Sequence, residues 1–215
     1  LNIDYLKNGF KQDLKGRRLG VIKSLLTDSI YSVTIDKLRK AGAELIEITP
    51  PEVALKGFLT LLNIDMKHDL PEYLAEHADK SILVKSVNEV RLFNLKDTLL
   101  RAPYGQELFD GIVEDKTTLE ELAVIKEQLS TEGENYLQAL KDENLEAILS
   151  INNYHSGFAA VAKYPTLTVP MGYKNSGEPI SLTFIGIPFT EIKLLEIGYA
   201  FEQLTKVRKM PKNYQ

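Results

Sequence analysis

Residues 164–189, YPTLTVPMGYKNSGEPISLTFIGIPF, constrain the fold more than any other stretch of this chain. Two β-rich runs, Thr166–Val169 and Ile180–Ile185, flank a turn holding Pro170, Gly172, Asn175, Ser176, Gly177 and Pro179. Threonine and branched aliphatics fit a pleated, half-buried surface, whereas proline, glycine and asparagine end a strand and redirect the chain. A helical pattern follows at once, with Leu194, Ile197, Phe201 and Leu204 at spacings of three and four. The stretch therefore reads as the structural centre of an α/β domain. It carries no evident catalytic group.

Upstream, residues 1–18 form a charged lead-in to a short apolar run, Leu19–Ile22. Asp28 is placed to cap a helix with Ile30, Val33, Leu38 and Ala41 on one face, and Gly42 to stop it. Glu44–Ile48 is a second apolar run, closed by Pro50 and Pro51. Strand, helix and strand in about thirty residues predict a right-handed βαβ unit with parallel strands. Gly20 has no glycine partners at the spacing a dinucleotide or phosphate loop needs, so nucleotide binding is not indicated.

From Val53 to Thr118 the pattern is helical and irregular. Leu55, Leu59, Leu62 and Met66 fit one apolar face, and Pro71 suits the first turn of a further helix. Ser86 with Glu89 forms a capping-box pattern, and residues 101–105 (RAPYG) break the helical run. A second capping box, Thr118 with Glu121, opens the longest expected helix, to about Lys141, with Leu122, Ile125, Leu129, Tyr136 and Leu140 on its inner face. Leu145–Leu149 is a further buried strand, followed by the polar loop 150–157 (SINNYHSG). Open α/β sheets bind ligands just beyond such strand ends. That placement makes Asn152, Asn153 and Tyr154 candidate ligand contacts, and Tyr104, in the break of the helical middle, joins them. With no repeat, low-complexity tract or clear linker, residues 1–215 are expected to form a single α/β domain.

Composition excludes several functions. The 26 basic and 30 acidic residues sum to −4, which gives no electrostatic case for nucleic acid or an anionic membrane surface. The absence of cysteine rules out disulfides, thiolate metal sites and a cysteine nucleophile, and it suits a cytoplasmic protein. No apolar run approaches the length of a membrane span. No cofactor or metal is indicated. His68 and His77 lie nine apart, unlike a helical ligand pair, and read as surface residues. His155 stands beside Ser156, but neighbours on an extended segment point to opposite sides, so a local serine–histidine site is not expected. The carboxylate pairs at Glu120–Glu121, Glu132/Glu134 and Asp142–Glu143 read as solvated helix faces. Lys206, Arg208 and Lys209 are placed in the last turns of the final helix, where cations complement its dipole.

The run AVAKYPTLTVP, residues 160–170, resembles the amidase signature hydrolases, whose C-terminal region carries an A-x-x-(G)-Y-P-x-(I/L)-(T/S)-V-P pattern. The resemblance continues through GEPISLTFIG, residues 177–186, and through the closing helix AFEQLTKVR, residues 200–208. Earlier pieces are similar too: Leu14–Gly16, Ala41–Glu44 and Pro103–Glu107. Lys163 stands where the family often has glycine before Tyr-Pro. The resemblance implies a layered α/β/α enzyme with a mixed central sheet, hydrolysing a carboxamide through an acyl-serine intermediate. The family uses a Ser–cis-Ser–Lys triad and a Gly/Ser-rich oxyanion loop, the logic being a weak hydroxyl nucleophile activated by a positioned base. Those parts belong to the family's N-terminal half and have no counterpart in these 215 residues, so no residue here inherits a catalytic role.

The chain is accordingly expected to be the C-terminal half of an amidase, excised or truncated, closest to the branch acting on peptide amides or small aliphatic amides. It is expected to be inactive alone. The alternative is a non-catalytic interaction module that forms a homodimer or pairs with a separately encoded N-terminal half.

Overall fold

The computed structural model describes Tyr5 and residues 13–210, so most of the charged lead-in before Asp13 lies outside the described residues. The elements run β1 (Arg18–Ile22), α1 (Ser29–Lys40), β2 (Glu44–Ile48), α2 (Phe58–His77), α3 (Val87–Leu95), α4 (Thr98–Arg101), α5 (Glu107–Glu114), α6 (Leu119–Tyr136), α7 (Ala139–Asp142), β3 (Ala147–Ile151), α8 (Ser156–Ala162), β4 (Thr166–Tyr173), β5 (Pro179–Ile185) and α9 (Glu191–Thr205). The described residues gather into two compact units, one running up to Ala54 and resuming at Ser130, the other Leu55–Leu129.

The first unit is built on one five-stranded sheet of order β2-β1-β3-β5-β4. β1 pairs parallel with β2 and with β3, and β5 runs antiparallel to both β3 and β4. The sheet is mixed, as expected. Side chains alternate across it with the period of two that a pleated strand imposes. Leu19, Val21, Leu149, Leu182 and Phe184 face one core, with Tyr31, Ile35 and Leu38 of α1 and Leu194, Ile197 and Phe201 of α9. Ile22, Ile48, Ile148 and Ile185 face the other, with Tyr136, Leu137 and Leu140 near α7 and Ala159 and Ala162 of α8. Helices on both faces of one sheet give the α/β/α layering.

Local chemistry explains several boundaries. The Asp28 carboxylate accepts from the N–H groups of Ile30 and Tyr31, both at 2.9 Å, and so caps α1. Gly42 ends that helix at φ +91°, a conformation that costs glycine nothing, and its carbonyl accepts from the N–H of Gly16. The buried face of α1 is Tyr31, Thr34, Ile35 and Leu38 rather than the expected set; Val33 is exposed. β4 extends through Pro170 and Gly172, which read as turn residues in the sequence. It is an edge strand, so a missing proline N–H is tolerated, and the register shifts between those two residues. The turn proper is short, with Lys174 and Gly177 closing it by main-chain bonds.

The second unit is helical. The second capping box forms in full, with Glu121 N–H donating to Thr118 Oγ1 at 3.2 Å and Thr118 N–H donating back to the Glu121 carboxylate at 2.8 Å. At the first, Glu89 N–H donates to Ser86 Oγ at 3.2 Å, but the Glu89 carboxylate accepts from the N–H of Lys85 rather than that of Ser86. Pro71 does not start a helix but lies inside α2, where it leaves the Lys67 carbonyl without its usual donor. α2 is also longer than α6, which stops at Tyr136 rather than near Lys141 and yields to the separate turn of α7. On α2 the buried residues are Asn63 and Ile64, while Leu59, Leu62 and Met66 are exposed. Polar contacts set that orientation: Asn63 Nδ2 donates to Asp115, and Lys67 Nζ donates to the Asp115 carbonyl. At the far end, α9 stops at Thr205, so none of the three expected cations lies in its last turn: Lys206 is its left-handed C-cap, Arg208 and Lys209 lie beyond it, and Lys209 N–H donates to Tyr173 Oη at 2.9 Å.

Lys163 ends α8 in the left-handed region, φ 60° and ψ 37°, at the position where relatives of the motif often carry glycine. Its exposed side chain makes no hydrogen bond or ion pair among the described residues. A β-carbon is strained there, and glycine removes the strain. Lys163→Gly should stabilise the fold by about 1 kcal/mol. A denaturation midpoint that stays level or falls would contradict this account of the αL cap.

Candidate functional site

The site follows from the order of the strands. β1 and β3 are parallel neighbours, yet β1 hands the chain to α1 on one face of the sheet and β3 hands it to α8 on the other. Where successive connections leave on opposite faces, the carboxyl ends of the strands part and leave a crevice. A cavity of about 720 Å³ lies there. Its walls come from the end of β1 (Ile22, Ser24), the segment after β2 (Ile48–Ala54), the end of α6 (Tyr136) and the β3–α8 loop (Tyr154, His155, Phe158).

Aromatic stacking organises one wall. Tyr136 and Phe158 lie face to face at 3.7 Å between centroids and 6° between planes, and His155 stacks beside Tyr136 at 5.6 Å. Burial pushes the Tyr136 hydroxyl up to about 12. His155 shares a 2.6 Å hydrogen bond between Nδ1 and Ser150 Oγ. Burial lowers the histidine pKa from its ordinary value and so favours the neutral ring. Ser150 is fully buried at the end of β3 and cannot meet a substrate. The pair therefore orients His155 and leaves Nε2 as the ring's remaining polar atom; it is not a nucleophile with its base.

The four sequence-based candidates are placed differently. Asn152 continues the sheet: its N–H donates to the Ser181 carbonyl at 2.9 Å, and its Oδ1 accepts from Ser181 N–H at 2.8 Å. Its φ of 47° starts the turn that follows. Asn153 is exposed and its carbonyl accepts from Ser156 Oγ at 2.8 Å. Tyr154 is exposed and lines the crevice. Tyr104 lies in the second unit, between α4 and α5, and is 99% exposed. The expected separation of His155 from Ser156 holds, since Ser156 turns back to Asn153. Sequence reasoning misses the Ser150–His155 pair. Its one sequence signal is a serine closing an apolar strand with a histidine five residues later. His68 and His77 are exposed on α2. Among the described residues no three potential ligands gather as a metal site, and no helix is long and apolar enough to cross a membrane.

A layered α/β/α unit with a crevice at a switch point of its mixed sheet is the architecture of α/β proteins that take ligands at strand carboxyl ends. Similarity to known proteins narrows this class. The chain is 32% identical over 228 residues to a probable amidase of Arabidopsis thaliana, covering 96% of this chain and 42% of that protein. It is 23% identical over 233 residues to a glutamyl-tRNA(Gln) amidotransferase subunit of Rhizorhabdus wittichii, covering 94% of this chain and 47% of that one. An amidase family protein from Bacillus anthracis superposes with a TM-score of 0.85 at 33% identity, over 99% of this chain and 43% of its own. The native peptide amidase of Stenotrophomonas maltophilia does so with 0.83 at 26% identity, over 99% and 48%. No protein-family model matches the chain. This chain belongs to the amidase signature family and is its C-terminal half in fold. It spans about half the length of the relatives it matches.

Proposed function

We propose that the chain acts as the C-terminal half of an amidase that cleaves a carboxamide C–N bond, in peptide amides or small linear amides, through an acyl-serine intermediate. In this reading it supplies the mixed sheet, the outer helices and a wall of the substrate site, while the serine–serine–lysine machinery lies outside residues 1–215. The observation that carries it is near-complete coverage of this chain by amidases more than twice its length, together with a crevice whose one serine–histidine pair is sealed at the serine. A buried hydroxyl cannot attack a carbonyl, so the Ser150–His155 pair offers no acyl acceptor at the crevice. The absence of cysteine supports a reducing, cytoplasmic setting.

The expected result is that the purified 215-residue chain releases no ammonia from peptide amides or simple aliphatic amides. Turnover that co-purifies with the chain would overturn the reading. A second reading, an interaction module that pairs with itself or with a separate N-terminal half, is favoured by the apolar side chains left in solvent: Leu99 is 90% exposed and Leu108 71%. Sedimentation of the same sample checks it. A monodisperse monomer that binds little hydrophobic dye would rule out self-pairing.

A further inference from the structure

The crevice between β1 and β3 has a chemistry that amide hydrolysis does not require. Three aromatic rings, Tyr136, Tyr154 and Phe158, line it, and Glu52 is the only formally charged side chain among its lining residues. No lysine or arginine lines it. Ser24 and His155 add neutral polar groups, and Nε2 of His155 has no protein partner among the described residues. Aromatic faces present negative potential, and a nearby carboxylate adds to it. An anionic ligand would meet like charge with no cation among the lining residues. A neutral ligand would gain apolar contact but nothing from Glu52. A planar organic cation gains from both.

We propose that this crevice is a binding site for a planar organic cation, an amidinium or guanidinium group on a small ring or side chain, held by the Tyr154 and Phe158 rings, with Tyr136 stacked on Phe158, and by Glu52. The proposal goes beyond the amidase reading, since it concerns which charged group the crevice admits and involves no bond cleavage. The geometry suits the size of ligand: about 720 Å³ lies within the range of ordinary small-molecule sites. The wall is preorganised, because the Ser150 hydrogen bond fixes the His155 ring beside Tyr136 and the Tyr136–Phe158 stack holds both rings before any ligand arrives.

Three isosteric probes separate the charge states: benzamidine (cationic), benzamide (neutral) and benzoate (anionic), each titrated into the chain by calorimetry at neutral pH. Benzamidine should bind roughly tenfold more tightly than benzamide, and benzoate more weakly than either, from one carboxylate and the aromatic faces at a partly solvated site. Glu52→Gln should bring benzamidine close to benzamide while leaving benzamide unchanged. Glu52 is exposed on a loop, so the variant should keep its melting midpoint. Phe158→Leu should weaken both of these probes several-fold. Equal affinity for benzamide and benzamidine, a preference for benzoate, an unaffected Glu52→Gln, or no saturable benzamidine binding at about 10 mM would each overturn the proposal. Because the readout is equilibrium binding, its failure leaves the amidase assignment standing.

Discussion

Replacing Phe184 by alanine should cost about 3–5 kcal/mol of stability, the range for removing a buried phenylalanine. Phe184 lies on β5 with strands on both sides, opposite Leu149 of β3 and Leu167 of β4. It is fully buried and meets Phe201 of α9 edge-to-face, with 5.8 Å between centroids and 66° between planes. Truncation removes the ring's burial, forfeits the aromatic pair and leaves a cavity that two flanking strands cannot close. Domains of this kind are stable by only about 5–15 kcal/mol, so the loss is a large share of the total. For a chain of this length each kcal/mol moves Tm by about 2–4 °C, and a fall on the order of 10 °C is expected. Phe189, five residues on, is 90% exposed, and Phe189→Ala should change stability by no more than about 0.5 kcal/mol. Matching melting curves for the two variants would show that the core has been misplaced.

Two glycine-to-alanine substitutions should move stability in opposite directions. Alanine is the better helix former by about 1 kcal/mol, so in open space either change stabilises. At Gly111 of α5 a β-carbon would meet only Asn63 Nδ2, at 3.8 Å, and the propensity gain should survive. At Gly133 of α6 it would lie 2.5 Å from the Phe158 carbonyl oxygen, 2.7 Å from Val161 Cγ2 and 3.1 Å from Ala162 Cβ. The nearest atom is main chain and cannot rotate away, so α6 and α8 must separate. Overpacking of this kind costs about 1–3 kcal/mol and outweighs the propensity term. The disturbance reaches the crevice too, because Tyr136 and Phe158, which stack across the same contact, ride on those two helices. Gly133→Ala should therefore lower the denaturation midpoint and alter the near-ultraviolet tyrosine signal, while Gly111→Ala should do neither. A stabilised Gly133→Ala would mean the two helices are not so closely apposed.

What was legible in the chain was whatever depends on near neighbours. Asp28, Ser86 and Thr118 satisfy free N–H groups two or three residues away, so their caps are written locally. β1, β2, β4 and β5 were visible because branched aliphatics and their turn residues adjoin one another. Lys163 was marked by its departure from glycine in the family pattern, and its left-handed backbone supplies the reason. The errors fall where a distant partner decides. α2 runs through Pro71, and its apolar Leu59, Leu62 and Met66 face solvent because Asn63 and Lys67 are held by Asp115, about fifty residues away. Pro170 reads as a terminator, yet β4 continues through it because an edge strand does not need that donor.

The candidate site divides in the same way. The sequence by itself determined that the SINNYHSG loop would lie past a strand's carboxyl end, and that neither it nor the Tyr164–Phe189 stretch carries an acyl-transfer triad. It also determined the family, through motifs whose residues are contiguous. Only the tertiary structure decided that Ser150 is sealed beneath His155, that Asn152 is committed to the sheet, and that Tyr136, at the end of α6, closes the crevice with Phe158 and the Glu52 loop. A crevice formed by strands parting in space has no signature in any local pattern. Its charge and its shape arise only when segments remote in sequence are packed side by side.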